Sequence, residues 1–77
     1  MKYIEELKYG QIFELNSILI VLTNDYRIRQ NKTQHKCVLL TNGSTIWYDS
    51  ETIVEQPPVF YQDKDNNLKE INYVQDN

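Results

Sequence analysis

The sequence predicts an all-β protein in which five short strands close into a small barrel. The chain has 77 residues, and a chain of that length builds one hydrophobic core. It contains no alanine, whereas isoleucine, valine and threonine together supply eighteen residues and the aromatic types supply nine. Side chains that fit a pleated sheet therefore outnumber those that favour helices. Short apolar runs separated by tight polar turns indicate antiparallel hairpins.

Two apolar runs predict the N-terminal part of the barrel. Ile4 and Leu7 have helical spacing and predict one short helical turn. Residues 11–15 alternate in part between apolar and polar side chains and predict the first strand. The polar pair at 16–17 joins them in a hairpin to residues 17–23, whose five consecutive apolar side chains predict a central strand buried on both faces.

Three further strands are predicted from turn chemistry. They cover residues 35–40, 45–48 and 53–55. Asn42-Gly43 separates the first two and predicts a type I′ turn, in which both central residues have a positive φ. Residues 49–52 separate the last two and predict a single helical turn with Asp49 as its cap.

The double proline at 57–58 marks the end of the predicted barrel, because proline cannot donate to a strand ladder. Residues 59–62 and 68–71 flank a turn-rich segment and predict an additional C-terminal hairpin, followed by a frayed end at 75–77. We therefore predict a barrel over 1–56 and a hairpin extension with a tail over 57–77, within one structural domain.

The order of several short motifs carries a resemblance. They are Leu7, Gly-Gln-Ile-Phe-Glu-Leu-Asn at 10–16, Leu22-Thr23, Cys-Val-Leu-Leu-Thr-Asn-Gly at 37–43, Trp47-Tyr48-Asp49 and Thr-Ile-Val-Glu at 52–55. Together they resemble small SH3-like β-barrel accessory proteins of the kind encoded by bacteriophages and other mobile elements. The resemblance covers residues 7–55 and implies an SH3-like five-stranded barrel and a viral origin. It does not extend to the acidic loop and paired aromatics of proline-binding SH3 domains.

Charge is distributed unevenly along the chain. Residues 26–37 contain four basic side chains and no acid, whereas the net charge of the whole chain is −3. The remainder therefore carries −7, and we predict a basic arm on an acidic body. The candidate ligand- or partner-binding residues are Arg27, Arg29, Lys32, Lys36, Trp47 and Tyr48. The alternative is a solvated arm whose cations complement the protein's own acids.

A second candidate surface follows from the apolar strands. Alternation along residues 18–22 and 37–40 leaves apolar side chains on both faces of the sheet, and a single small barrel has only one interior. The N-terminal turn, the hairpin after Pro58 or a second copy of the chain would cover the other face, and pairing with a second copy predicts a homo-oligomer. The candidate self-interface residues are Leu19, Val21, Leu39, Trp47 and Phe60.

The sequence offers no convincing catalytic or metal-binding set. His35 and Cys37 share one face of a strand, but neither has an evident third group to orient it. Cys37 is the single cysteine, so no multi-cysteine metal site forms. We predict neither a catalytic residue nor a cofactor.

These observations predict a non-enzymatic protein that binds another protein or itself, and that inhibits a host protein if it is viral. One alternative is an oligomeric protein that sequesters an anionic, nucleotide-type small molecule. Another is a single-strand nucleic-acid binder, although the pI near 4.9 argues against it. No apolar run approaches the ~20 residues of a membrane span, so we expect no membrane association and a cytoplasmic location, the host's if the protein is viral.

Overall fold

The computed structural model describes residues 1–71, which consist almost entirely of strands and turns. The elements are β1 (Lys2–Tyr3), a 3-10 turn (Ile4–Glu6), β2 (Ile12–Leu15), β3 (Ile18–Arg29), β4 (Lys32–Leu39), β5 (Thr45–Asp49), β6 (Ile53–Val54), β7 (Phe60–Gln62) and β8 (Leu68–Glu70). The predicted all-β class is confirmed. The predicted N-terminal helical turn is the 3-10 turn, and the predicted frayed end at 75–77 lies outside the described residues.

Residues 1–71 form three antiparallel sheets. Strands β2, β3, β4 and β5 are neighbours in that order and form a curled half-barrel, while β1 pairs with β6. Strands β7 and β8 form the predicted C-terminal hairpin. Glu14 and Glu55 exchange two backbone hydrogen bonds of 2.7 and 3.1 Å, which attach the chain after β6 to the β2 edge of the half-barrel.

Two of the hairpins turn through residues in the left-handed region. Asn16 and Ser17 have φ values of 54° and 65°, and Gln30 and Asn31 have values of 54° and 64°. Positive φ at both central residues matches the right-handed twist of the flanking strands. The predicted hairpin at Asn16-Ser17 is thus confirmed, and a second hairpin of the same kind joins β3 to β4.

The turn between β4 and β5 differs from its prediction. Only Gly43 has a positive φ there, of 77°, so the predicted type I′ turn at Asn42-Gly43 is wrong. The loop contains four residues, because the Leu39 N–H donates to Ser44 O and the Gly43 N–H donates to Leu39 O, both at 2.8 Å. The Leu40 N–H meanwhile donates to Leu19 O, which keeps Leu40 bonded to β3 and lengthens the loop.

The turn after β5 forms without its predicted cap. The Thr52 N–H donates to Asp49 O at 3.0 Å, and this single hydrogen-bonded turn does not continue into a helix. The Asp49 carboxylate does not cap it. Its Oδ1 accepts a hydrogen bond from Gln34 Nε2 at 2.9 Å instead.

The hydrophobic core lies on the concave face of the half-barrel. It consists of Ile4, Leu7, Phe13, Ile20, Leu22, Cys37 and Val54. We call this the inner face and the opposite one the outer face. The prediction that the central strand is buried on both faces is wrong, because Ile20 and Leu22 are buried whereas Leu19 and Val21, on the outer face, are only half-buried.

An irregularity divides β3 into a core half and an arm. Leu22 pairs with Cys37, and the next regular pair is Tyr26 with His35, so β3 holds two more residues than β4 in between. The Thr23 hydroxyl donates to Lys36 O at 2.7 Å and accepts from the Asp25 N–H at 3.2 Å, which stabilises this bulge. We call the hairpin beyond it, residues 26–35, the arm.

Stability is expected to depend on the core half of β3 and not on the arm. Replacing Ile20, which is fully buried, by Val should lower the free energy of unfolding by about 0.5–1.5 kcal/mol, because one buried methyl group is lost. The matched substitution Ile28→Val removes the same group from a side chain that is 72% exposed and should change it by less than about 0.5 kcal/mol. Urea denaturation of both variants measures the difference, and equal losses would contradict this division of β3.

Candidate functional site on the outer face of the arm

Strand register brings the four basic side chains of the arm region to one face. Arg27 pairs with Gln34 and Arg29 with Lys32 in the β3–β4 ladder. Lys36 pairs with Trp47 in the β4–β5 ladder. Directly opposed residues in an antiparallel sheet share a face, so all of these side chains lie on the outer face. We call Arg27, Arg29, Lys32, Lys36 and Trp47 the cationic patch.

A row of polar contacts crosses three strands within this patch. Arg27 Nε donates to Gln34 Oε1 at 2.9 Å, and Gln34 Nε2 donates to Asp49 Oδ1 at 2.9 Å. The Arg27 guanidinium also stacks on Trp47, with Cζ 4.2 Å from the ring centroid. This cation–π contact and the hydrogen bond orient the guanidinium plane before any ligand arrives.

Two of the remaining cations form long, exposed ion pairs. Lys32 Nζ lies 3.7 Å from Asp49 Oδ2, and Lys36 Nζ lies 3.9 Å from Asp25 Oδ2. Exposed pairs of this kind contribute about 0–1 kcal/mol each. Arg29 is exposed and has no ion-pair partner among residues 1–71. The cations thus complement the protein's own acids in part, yet the four positive charges face only two carboxylates within the described residues 1–71.

Tyr48 lies apart from the other predicted binding residues. It pairs with His35 on the inner face, packs against the core and meets the Phe13 ring edge-on, with centroids 6.4 Å apart. Burial raises the pKa of its phenol, and the charge of an ionised Cys37 raises it further. Tyr48 therefore lies outside the cationic patch that contains Trp47, because adjacent residues of a strand face opposite ways.

The predicted self-interface residues do not form one surface. Leu19 and Val21 lie half-buried on the outer face, which also carries Trp47. Leu39 pairs with Ile20 and packs against the core from the inner face, so its assignment to the second face is wrong. Phe60 is 53% exposed and belongs to the separate β7–β8 sheet.

The inner face of the arm presents apolar side chains that were not predicted as a site. Tyr26 and Ile28 are 62% and 72% exposed, because they lie beyond the part of the sheet that covers the core. A cleft of about 310 Å³ lies nearby, and its lining includes Tyr9 and His35, the residue that pairs with Tyr26. In the sequence, Tyr26 and Ile28 alternate with two arginines, and this alternation predicts a strand with one apolar face and one basic face.

A serine–histidine contact was also not predicted. His35 Nε2 lies 2.8 Å from Ser50 Oγ, and the Ser50 N–H donates to Thr33 O at 2.9 Å. Within residues 1–71, no carboxylate contacts the other ring nitrogen of His35 and no three metal-ligating side chains cluster. Nucleophilic catalysis needs a third group that orients the base. We therefore interpret the contact as a structural hydrogen bond between β4 and the turn after β5.

Cys37 shares the inner face with His35, as predicted, but is not a nucleophile at neutral pH. Its side chain is fully buried, and Sγ donates to His35 O at 3.6 Å. Burial raises the pKa of the thiol from 9.0 to about 11. Because the thiolate is the reactive species, this environment suppresses its reactivity.

The chain matches no protein-family model, no curated protein and no solved structure. Within residues 1–71, no helix has the length and apolar character needed to cross a membrane.

Alkaline pH is expected to destabilise the fold through Cys37. Above pH 9.0 the unfolded chain releases a thiol proton that the folded chain retains up to a pKa of about 11, so the free energy of unfolding falls as the pH rises through this window. The loss reaches about 3 kcal/mol once the pH exceeds both values. Urea denaturation across this pH range should show a shallower decline for Cys37→Ala than for the unaltered protein. Equal declines would contradict the assignment.

Proposed function

We propose that this protein is a non-enzymatic binding module that attaches to an acidic surface of another protein through its cationic patch. The observation that carries the proposal is the concentration of four cations and the single tryptophan on one accessible face of a chain whose net charge is −3. A local field of opposite sign to the rest of the molecule orients an incoming acidic partner and repels others.

The contacts within the patch support exchange of partners. The ion pairs of Lys32 and Lys36 are long and exposed, so carboxylates of a bound protein replace Asp49 and Asp25 at little cost. Arg29 has no ion-pair partner among residues 1–71, so no carboxylate of this chain has to leave it first. Arg27 is held on Trp47, and a guanidinium fixed in this way donates to a carboxylate through two parallel hydrogen bonds with little loss of side-chain entropy.

The same proposal includes the detailed barrel type and the cellular location of the protein. We propose an SH3-like barrel in which β6 is the fifth strand, and the two Glu14–Glu55 backbone bonds support this arrangement. The resemblance to phage accessory proteins suggests a host protein as the partner, bound in the host cytoplasm and inhibited by occlusion. Such occlusion needs no catalytic group.

An anionic small molecule of the nucleotide type is the second candidate ligand. The stacked Arg27–Trp47 pair beside Arg29 and Lys32 favours it, since phosphate accepts from guanidinium groups and a base stacks on an aromatic ring. With Tyr48 on the inner face, however, Trp47 alone is left for stacking, and Arg27 already covers one of its faces. The acidic protein surface therefore fits the patch better.

Charge reversal on the patch tests the proposal. In Arg29→Glu/Lys32→Gln, one cation that has no ion-pair partner among residues 1–71 becomes an anion, and one ion-paired lysine becomes neutral. The C-terminal hairpin offers a matched control, Lys64→Glu/Lys69→Gln, because Lys69 Nζ lies 3.7 Å from Asp63, as Lys32 does from Asp49. We expect a fluorescein-labelled polyglutamate peptide to bind the unaltered and control proteins. The patch variant should bind at least about tenfold more weakly, since a lost charge pair is worth a kcal/mol or more.

Two further probes separate the alternatives. Titration with ADP and with an oligothymidylate should leave the emission of Trp47 unchanged, whereas polyglutamate should shift it. Proteins captured from a bacterial lysate by the unaltered protein, the patch variant and the control variant are then compared by quantitative mass spectrometry. Binding of ADP or oligothymidylate but not polyglutamate, or a captured partner retained equally by the patch variant, would contradict the proposal.

A further inference from the structure

One edge of the half-barrel is open. β5 is the last strand of the four-stranded sheet, and no strand among residues 1–71 pairs with its far side. The Leu39–Ser44 and Ser50–Thr33 bonds fix which of its backbone groups face β4. Because bonded and non-bonded pairs alternate along an antiparallel ladder, Ile46 and Tyr48 bond β4, while the N–H and C=O groups of Thr45, Trp47 and Asp49 point away from the sheet.

This edge has none of the features that keep natural sheet edges from pairing. Thr45–Asp49 contains no lysine, no proline and no bulge, and its register with β4 is regular over all five pairs. Its only charge, on Asp49, is balanced by Lys32 3.7 Å away. At the opposite edge, β2 is covered in part by the Glu14–Glu55 bonds. An unprotected edge of this kind acts as a template for another strand.

We propose that β5 pairs antiparallel with β5 of a second copy, about a two-fold axis at Trp47. In this register Trp47 exchanges two hydrogen bonds with the partner's Trp47, and Thr45 lies opposite the partner's Asp49. The outward groups are spaced evenly on both sides of Trp47, so a donor on one strand meets an acceptor on the other along the whole strand. The Asp49 carbonyl, which already accepts from Thr52, has a second lone pair for this contact.

The side chains are compatible with this pairing on both faces. On the inner face, Ile46 lies opposite the partner's Tyr48, an aliphatic–aromatic pair of the kind that stabilises sheets. On the outer face, Asp49 lies opposite the partner's Thr45, so no directly paired residues of the two β5 strands carry like charges. The two half-barrels form one continuous sheet, and their cationic patches become adjacent. The inference stands on the edge geometry and does not rest on the proposed function.

The oligomeric state and its response to Thr45 test the inference. Sedimentation equilibrium over a concentration series should give a mass rising to twice the 9.2 kDa of the chain. Thr45→Pro should give a monomer, because proline removes an outward N–H and no bond to β4. Thr45→Asp places a carboxylate opposite the partner's Asp49 and Thr45→Lys an ammonium, so their dimer dissociation constants should differ by about tenfold, with Lys the tighter.

Hydrogen exchange provides a readout that does not depend on mutation. The Trp47 amide should be protected at high protein concentration and exposed at low concentration, while the Ile46 amide, bonded to β4, stays protected throughout. A monomer at all concentrations would overturn the inference. So would a dimer whose dissociation constant is the same for Thr45→Asp and Thr45→Lys, since its interface would lie elsewhere.

Discussion

The parity of the β3–β4 register is the constraint on which the rest of the structure depends. On both sides of the bulge, even-numbered residues of β3 oppose odd-numbered residues of β4, as Leu22 opposes Cys37 and Tyr26 opposes His35. The two extra residues preserve this parity, whereas a bulge of one residue would move the arm's arginines to the other face. The core face and the cationic face therefore remain separate along the whole hairpin.

Much of the fold was predictable because local chemistry and strand alternation agree over most of the chain. The all-β class, the hairpin at Asn16-Ser17 and the C-terminal hairpin follow from composition and turn residues, and the run of basic residues marks the cationic patch. The sequence could also have predicted that Trp47 and Tyr48 lie on opposite faces, since neighbouring residues in a strand alternate between faces. It could not have predicted that Leu39 lies on the inner face, because that position depends on the register that pairs Leu39 with Ile20.

The turn-forming residues predicted where the chain turns better than they predicted the backbone conformation of each turn. Asn42-Gly43 is the strongest type I′ sequence in the chain, yet it lies in a four-residue loop because Leu40 stays hydrogen-bonded to Leu19. Gln30 and Asn31 adopt positive φ at both positions without a glycine. There the paired strands on either side determine the turn, and their hydrogen bonds and twist offset the strain of two left-handed residues.

The inner face packs the core and the outer face carries the cations, which explains how so small a chain supports a binding surface. Among residues 1–71, every buried apolar side chain except Ile12, which pairs with Val21 on the outer face, belongs to the inner face or the segments packed on it. The outer face of the arm is therefore free to carry charges that would destabilise a core. The arm extends beyond the core, and Tyr26 and Ile28 on its inner face are exposed, so the arm contributes little to the core. The surface proposed for recognition and the surface that holds the chain together are therefore independent, and substitutions on the first should alter binding before they alter folding.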